Sequence, residues 1–334
     1  MKHIAPLVTV VIPTRNKPLL VLRAVHSALR QTLEAVEVIV VVDGPDEATV
    51  QALSGVEDSR LIVKLLPRNL GPAEARNAGV EAARGPWVAF LDHDDEWLPN
   101  KLDVQLRTAR QSTFRYPIIA CHFIKRSETT DVLLPMRLPA PGEPMSEYLF
   151  RRTRLFGGEG LVQSSTIFTT KELLQKVPFR AESQRHDDID WLLRATIRDE
   201  TAVEFVTTLE PLAIWHRSEK LQTISSRKDW RFSLSWIQQN RHLATSRAYA
   251  SFLLTWVSAN AIEQGERSAC WPLLTEACRC GAPSALDMCV FIGIWLTPQG
   301  PRRWLGNCLS ALRGNTAHSP AKDQRQANMI EEKL

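Results

Sequence analysis

The run Trp87-Val88-Ala89-Phe90-Leu91 passes without a spacer into Asp92-His93-Asp94-Asp95-Glu96. So short an apolar run, flanked by turn residues, reads as a strand buried on both faces rather than a helix. In open α/β sheets ligands bind beyond the carboxyl ends of the strands, which is where these acids stand. Asp92 and Asp94, two apart, are able to converge on one hard divalent cation, Mg²⁺ or Mn²⁺, of the kind that grips substrate phosphates while keeping some of its waters. The competing reading is acidic decoration of the positive start of a helix with Pro99 in its first turn. That suits Glu96. The remaining acids, with only Lys101 nearby, would repel one another without a cation, so a metal site is expected.

The flanking pattern is that of an α/β protein. Residues 7–12 form a buried strand stopping at Pro13-Thr14-Arg15-Asn16, and residues 18–31 keep a helical period. A second strand, 36–42, closes at Asp43-Gly44-Pro45-Asp46; a short helix to 54, a strand at 61–66 and a helix at 72–83 follow. This alternation predicts a mostly parallel sheet with helices on both faces. Further on come a helix at 101–111, a strand at 118–124 with an antiparallel partner at 132–134, a loop at 137–144, a glycine hinge at 157–160 and a strand at 162–168. His186-Asp187-Asp188-Ile189-Asp190-Trp191 opens a helix through 197, and 212–216 closes the first domain. Helices are expected at 230–243, 248–263, 270–279 and 285–296. The organisation implied is a catalytic domain over 1–225, a helical region over 226–314 and a polar, disordered tail over 315–334.

A net charge of +4 does not call for nucleic acid as a partner. The six cysteines show neither a disulfide framework nor zinc spacing, so reduced, mostly buried thiols of a cytosolic protein are expected. Cys278 and Cys280 read as helix-packing residues. No signal peptide is evident, and the longest apolar run, 288–296, is too short for a membrane span.

Several motifs in order then carry a resemblance. Val10-Val11-Ile12-Pro13-Thr14-Arg15-Asn16, Val40-Val41-Val42-Asp43-Gly44, Ala75-Arg76-Asn77-Ala78-Gly79, Phe90-Leu91-Asp92-His93-Asp94-Asp95 and His186-Asp187-Asp188-Ile189-Asp190-Trp191 resemble the family 2 glycosyltransferases of the GT-A fold, over residues 7 to about 216. The resemblance implies a metal-dependent, inverting transfer of a sugar from a nucleoside-diphosphate donor to a saccharide or lipid-linked acceptor, as in cell-surface polysaccharide or glycolipid synthesis. Pro13, Thr14 and Arg15 would line the nucleotide, Asp43 would accept from base or ribose, and Arg76 would reach the phosphates with Asn77 nearby. Asp92 and Asp94 would hold the metal, with His216 as a further contact to metal or diphosphate. Asp188 would be the catalytic base and Asp187 the second choice; His93 would take no catalytic part. Relatives often carry two acids where this chain has Val42-Asp43, which leaves the nucleotide base open. The residues alone also allow Arg76 as a solvated surface charge, Asp43 as a turn residue, and Asp187, Asp188 and Asp190 as charges complementing a helix dipole.

Two other readings remain. A nucleotidyltransferase would show a glycine-rich loop after the first strand, which Pro13-Thr14-Arg15-Asn16 is not. A non-catalytic sugar-nucleotide-binding protein would keep the same carboxylates. The absence of Gly-x-Gly-x-x-Gly after a strand disfavours a Rossmann dehydrogenase. The acceptor loop is placed in 137–160. Ile292, Trp295, Leu296, Trp304, Leu305, Leu309 and Leu312, interspersed with Arg302, Arg303 and Arg313, suit a bilayer interface at the inner face of the membrane, packing on the catalytic domain, or a homodimer contact.

Overall fold

The computed structural model describes residues 5–128, 130–155, 160–183, 185–217 and 229–297. In chain order the elements are β1 (Val8–Thr14), α1 (Pro18–Leu29), β2 (Val36–Val42), α2 (Glu47–Ser54), β3 (Leu61–Leu65), α3 (Pro72–Ala82), β4 (Trp87–Phe90), β5 (Glu96–Trp97), α4 (Lys101–Gln111), β6 (Tyr116–Ala120), β7 (Phe123–Arg126) and β8 (Asp131–Leu134). After these come α5 (Met145–Phe150), β9 (Phe168–Thr170), α6 (Lys171–Lys176), α7 (Asp187–Thr196), β10 (Thr201–Phe205) and β11 (Ala213–His216). The helical part comprises α8 (Trp230–Gln239), α9 (Ser246–Ser251), α10 (Ser258–Glu263), α11 (Cys270–Cys280) and α12 (Ala285–Leu296).

A seven-stranded sheet in the order β10-β6-β9-β4-β1-β2-β3 forms the frame. It is parallel except for β9, which runs antiparallel to both β4 and β6. The unbroken apolar runs of β1 and β2 have a direct cause: successive residues feed cores on opposite faces. Val10, Ile12, Val38 and Val40 pack with Val21, Val25 and Leu53 of α1 and α2. Val11, Ile39 and Val41 turn the other way, toward Ala75 and Val80 of α3. Gly79 is there because α3 lies so close to β1 that a Cβ would sit 2.3 Å from Val11 Cγ1. A smaller sheet, β5-β11-β7-β8, caps one end.

Four expectations of local structure change. The strand expected at 118–124 is two strands in two sheets, β6 and β7, separated at Cys121-His122. The apolar run is buried from Ile118 through Phe123, so hydropathy cannot register the change of sheet. The strand expected at 162–168 is a 3₁₀ turn, Ser164–Thr166, followed by β9. The helix expected at 248–263 runs from α9 through a π-helical segment, Phe252–Val257, into α10. The antiparallel pairing of 132–134 stands, as β8 against β7. Glu96 starts no helix: it pairs in β5 with Ile214 of β11, and α4 begins at Lys101.

Among the described residues no helix is long and apolar enough to cross a membrane. Cys121 is buried, whereas Cys278, Cys280 and Cys289 are exposed, against the expectation of packed thiols. The boundary expected at 225/226, the glycines at 157–159, the basic and aromatic residues at 302–313 and the tail at 315–334 lie outside the described residues.

Candidate active site

The carboxyl ends of β1, β2 and β4 lie side by side, and the loops leaving them make the site floor. After β2, both Asp43 oxygens accept backbone N–H groups, from Leu70 at 2.7 Å and Gly71 at 2.9 Å. The carboxylate therefore fixes the loop that launches α3, and each oxygen keeps a lone pair for a ligand. Gly44, at φ +95°, meets the backbone of Asn69 so closely that a side chain is excluded. Thr14, at the end of β1, is buried, and its hydroxyl has no partner among the described residues. Arg15 is exposed. The Pro13 carbonyl lies 3.3 Å from His93 Nδ1, which ties the acidic loop back to β1.

Beyond β4 the three aspartates separate in role. Asp95 is fully buried and accepts from Ser165 Oγ and Gln163 Nε2, each at 2.5 Å, while its Oδ1 has no partner among the described residues. Burial, reinforced by Asp92 and Asp94, raises its carboxyl well above the usual range. Asp92 accepts from Arg76 Nη2 at 2.8 Å. Asp94 gives its backbone carbonyl to Arg23, and burial outweighs the attraction of His93 to raise its carboxyl. Lys101 does not serve these acids: it is buried with Nζ 3.9 Å from the Trp97 ring centroid and donates to Gln105. Desolvation pulls its pKa down to about 8.

Arg76 joins the two halves of the site. It is 4% exposed, which removes the reading of a solvated surface charge. Its guanidinium pairs with Asp92 from the β4 loop and Asp187 from the start of α7, and reaches Ser164 Oγ at 3.3 Å. Burial alone would lower its pKa, but Asp187 and Asp92 overcome this and raise it. Arg76 is thus already committed to carboxylates, and meeting a phosphate requires one of those pairs to exchange. Asn77 is anchored to the chain across from it: its amide group donates to and accepts from the Phe179 backbone, both at 2.9 Å.

At α7 the neighbours diverge. Asp187 turns to Arg76. Asp188 is only half-buried, accepts from the Ile189 N–H at 2.8 Å, and lies 3.3 Å from Ser164 Oγ. Desolvation first and Asp187 second push its carboxyl up to about 7, with Arg76 opposing. Asp190 is neither a site residue nor a mere dipole charge. It is fully buried, binds Arg194 at 2.7 Å, and accepts from the Trp236 indole at 3.3 Å, tying α7 to α8.

His216 meets the acid that ends the loop. Its Nε2 is 3.2 Å from Glu96 Oε2 across the β5–β11 pair. Among the described residues no three His, Cys, Asp or Glu side chains gather around one point as a metal cage. The acidic loop nevertheless fits a hard cation held by two protein carboxylates, with substrate and water completing its shell. Asp92, Asp94 and Asp95 share this loop, Asp95 Oδ1 is buried without a partner among the described residues, and Arg76, Arg23 and His93 bring positive charge to it. Gln163, Ser164 and Ser165, which brace the loop, carry no hydropathy or charge signal that could have singled them out.

The glycosyl transferase family 2 model matches residues 9–176, half of the chain. The chain belongs to glycosyl transferase family 2. This family 2 enzyme is 29% identical to the amylovoran biosynthesis glycosyltransferase AmsB of Erwinia amylovora over 72% of its own length and 79% of that protein's. It is 44% identical to the succinoglycan biosynthesis protein ExoO of Rhizobium meliloti, over 29% of its length and 28% of that relative's. The crystal structure of S. aureus TarS residues 1–349 superposes with a TM-score of 0.50 at 17% identity, covering 89% of this chain and 91% of that one. The complex of that protein with UDP-GlcNAc gives 0.50 at 16% identity, over 89% and 92%. At such identity the likeness concerns the fold, and it extends beyond the matched family segment into the helical region of this glycosyltransferase.

Proposed function

We propose that this glycosyltransferase moves a sugar from a nucleoside-diphosphate donor to a hydroxyl of a saccharide or lipid-linked acceptor, with inversion, in the assembly of a surface polysaccharide. The observation that carries the reading is the division of partners between Asp187 and Asp188. Asp187 is buried against Arg76, which opposes the rise that burial causes in its carboxyl. Asp188 is half-buried beside Ser164 with its carboxyl pushed up to about 7. A base poised near neutrality is what an incoming hydroxyl requires. The acceptor oxygen attacks the anomeric carbon and its proton passes to Asp188. The bond from that carbon to the diphosphate breaks, and the electron pair leaves with the phosphate oxygen. Arg76 acts as a positioning residue, holding Asp92 and Asp187 in register. The unpaired Thr14 hydroxyl and the spare lone pairs of Asp43 suit the nucleoside, with Pro13 and Arg15 beside them. Asp92 and Asp94 would hold the divalent cation, Mn²⁺ or Mg²⁺, which when bound offsets the charge developing on the departing diphosphate. His216, the further contact expected for metal or diphosphate, is held by Glu96.

The names of the relatives support polysaccharide assembly, and TarS in complex with UDP-GlcNAc makes a uridine nucleotide the first donor to try. We place the enzyme in the cytoplasm, with peripheral contact at the inner face of the membrane. The test is hydrolysis of a panel of UDP-, GDP- and dTDP-sugars in the presence of Mn²⁺. Slow release of nucleoside diphosphate from one donor class supports an enzyme. Tight nucleotide binding without release from any sugar nucleotide favours a binding protein, and release of inorganic pyrophosphate from a nucleoside triphosphate and a sugar phosphate favours a nucleotidyltransferase.

A further inference from the structure

Of three adjacent side chains at 163–165, two hold the acidic loop and the one between them meets the base. Gln163 Nε2 and Ser165 Oγ both donate to Asp95 Oδ2 at 2.5 Å, and Ser165 Oγ also accepts the Asp92 N–H at 3.0 Å. Ser164 Oγ lies 3.3 Å from Asp188 Oδ2 and 3.3 Å from Arg76 Nη2, and the residue is 5% exposed. The backbone of this stretch is pinned independently of the acids. The Trp97 indole donates to the Ser165 carbonyl at 2.8 Å, and the Gln105 amide donates to the Thr166 carbonyl at 2.7 Å. Within the 3₁₀ turn, the N–H groups of Thr166 and Ile167 reach the carbonyls of Gln163 and Ser164 at 2.8 and 3.0 Å.

The direction of the Ser164 proton follows by elimination. A guanidinium only donates, so the hydroxyl accepts from Arg76 and its own proton is left for the Asp188 carboxylate. Asp188 Oδ1 already accepts the Ile189 N–H at 2.8 Å. A carboxylate with one such contact still turns about its Cβ–Cγ bond. A second donor on the other oxygen fixes its plane, and each oxygen keeps a lone pair for the incoming hydroxyl. In an inverting displacement the base and the departing group stand on opposite faces of the sugar, and a shift of the base by about 1 Å is enough to cost about a hundredfold in rate. Neighbouring residues of one braced turn touch both sides here: Ser165 holds the loop proposed to carry the cation, and Ser164 holds the proposed base.

We propose that Ser164 is a positioning residue for the reaction, its hydroxyl fixing the plane of the Asp188 carboxylate, and that through Ser165 the same turn sets that base against the acidic loop. This rests on the proposed glycosyl transfer, and the measurements are chosen to fail separately. The contact is read first without donor or metal, by carboxyl ¹³C NMR of aspartate-labelled protein, the Asp188 signal being identified by its loss in Asp188→Asn. The charged groups that face Asp188 are Asp187 on its own helix, Arg76 on α3 and Asp92 on the β4 loop, and all three stay in place when Ser164 is changed. A proton donated to the ionised form favours that form, so Ser164→Ala should raise the Asp188 midpoint by about half a pH unit or more. Ser164→Cys, of similar shape but a weak donor, should do the same, and Ser164→Thr, which keeps the hydroxyl, should bring the midpoint back. Hydrolysis with Mn²⁺ of the sugar nucleotide that wild type cleaves gives the second readout. There kcat should fall about tenfold to a hundredfold in Ser164→Ala and Ser164→Cys with KM within about twofold, and Ser164→Thr should recover most of it. An unchanged Asp188 midpoint in Ser164→Ala, or a kcat within about twofold of wild type, would overturn the role. So would an equal fall in all three variants accompanied by a lower melting temperature, which would make Ser164 a packing residue. Failure of wild type to hydrolyse any donor counts only against the transferase reading, and the titration then decides the hold of Ser164 on Asp188 by itself.

Discussion

At Asp188, burial and the neighbouring Asp187 raise the carboxyl, while Arg76 and the Ile189 N–H oppose the shift, leaving a pKa of about 7. Only the ionised form accepts a proton, so transfer at saturating substrate should rise with pH through about 7 and then level off. Asp188→Asn keeps size and hydrogen bonding, so donor affinity should survive while transfer falls by roughly 10²–10⁴. Near-normal turnover in that variant, with Asp187→Asn inactive, would move the base to Asp187. The sign of the linkage gives a second readout. A raised acid pKa means the fold favours the protonated form, so that stability is lost as pH rises from 3.8 through about 7. Asp188→Asn should therefore melt above wild type at pH 8 and together with it at pH 4. Asp94 tests the metal: Asp94→Ala should remove the Mn²⁺-dependent part of the thermal stabilisation by UDP, about 2.7 kcal/mol at a hundredfold excess over Kd, with the apo melting temperature little changed. Undiminished Mn²⁺ dependence would take the cation away from this loop. The acids themselves were legible as a cluster at a strand end. What hydropathy could not show was which acid meets Arg76, because the partners are sixteen and 111 positions away and meet only when α7 folds back onto α3.

Among the elements, those near the site that local pattern announces are the ones buried symmetrically or with a clean helical period. β1, β2, β4, α3 and α4 appear within a residue or two of where hydropathy puts them, because each packs on both faces or along one stripe. The segments that differ are set by distant contacts. Residues 163–166 turn because Ser165 and Gln163 must reach Asp95, and 120–123 break because the chain leaves one sheet for another. α12 poses a different question. It begins with a capping box at Ser284 and Asp287 and buries Val290 and Phe291, while Ala285, Cys289, Ile292, Gly293 and Leu296 form an exposed stripe at helical spacing. A short helix that is apolar all round normally has something on both sides. With Arg302, Arg303 and Arg313 following in sequence, weak binding to anionic lipid is expected, at about 1 kcal/mol per basic residue near the surface. Co-sedimentation with anionic liposomes should retain the full chain at low salt, release it at high salt, and retain less of a chain ending at Thr297. Equal absence of both chains from the lipid pellet would leave the stripe to a second copy of the chain.

For the molecule as a whole, the catalytic sheet and the helical region share one core. A continuous apolar cluster runs from Val11 and Phe90 through Trp191 to Trp236, Phe252 and Phe291. Polar contacts follow the same seam: the Trp236 indole donates to Asp190 at 3.3 Å, Thr245 Oγ1 donates to Glu147 at 3.0 Å, and Ser251 Oγ donates to the Phe150 carbonyl at 2.9 Å. Cutting the chain after Arg217 would expose Phe150 and His186, and would strip Asp190 of its indole. Losing the packing of a large aromatic residue costs about 3–5 kcal/mol, and Trp236 and Phe252 are both lost in that cut. Against a total stability of about 5–15 kcal/mol, such a deficit leaves little folded protein. The full chain should therefore unfold by urea in a single transition, with fluorescence and far-ultraviolet dichroism coinciding. The chain ending at Arg217 should keep part of its secondary structure, lose its near-ultraviolet dichroism and bind a hydrophobic dye. Cooperative unfolding of that fragment, with nucleotide affinity intact, would show instead that the catalytic sheet stands alone and that the helical region is only attached to it.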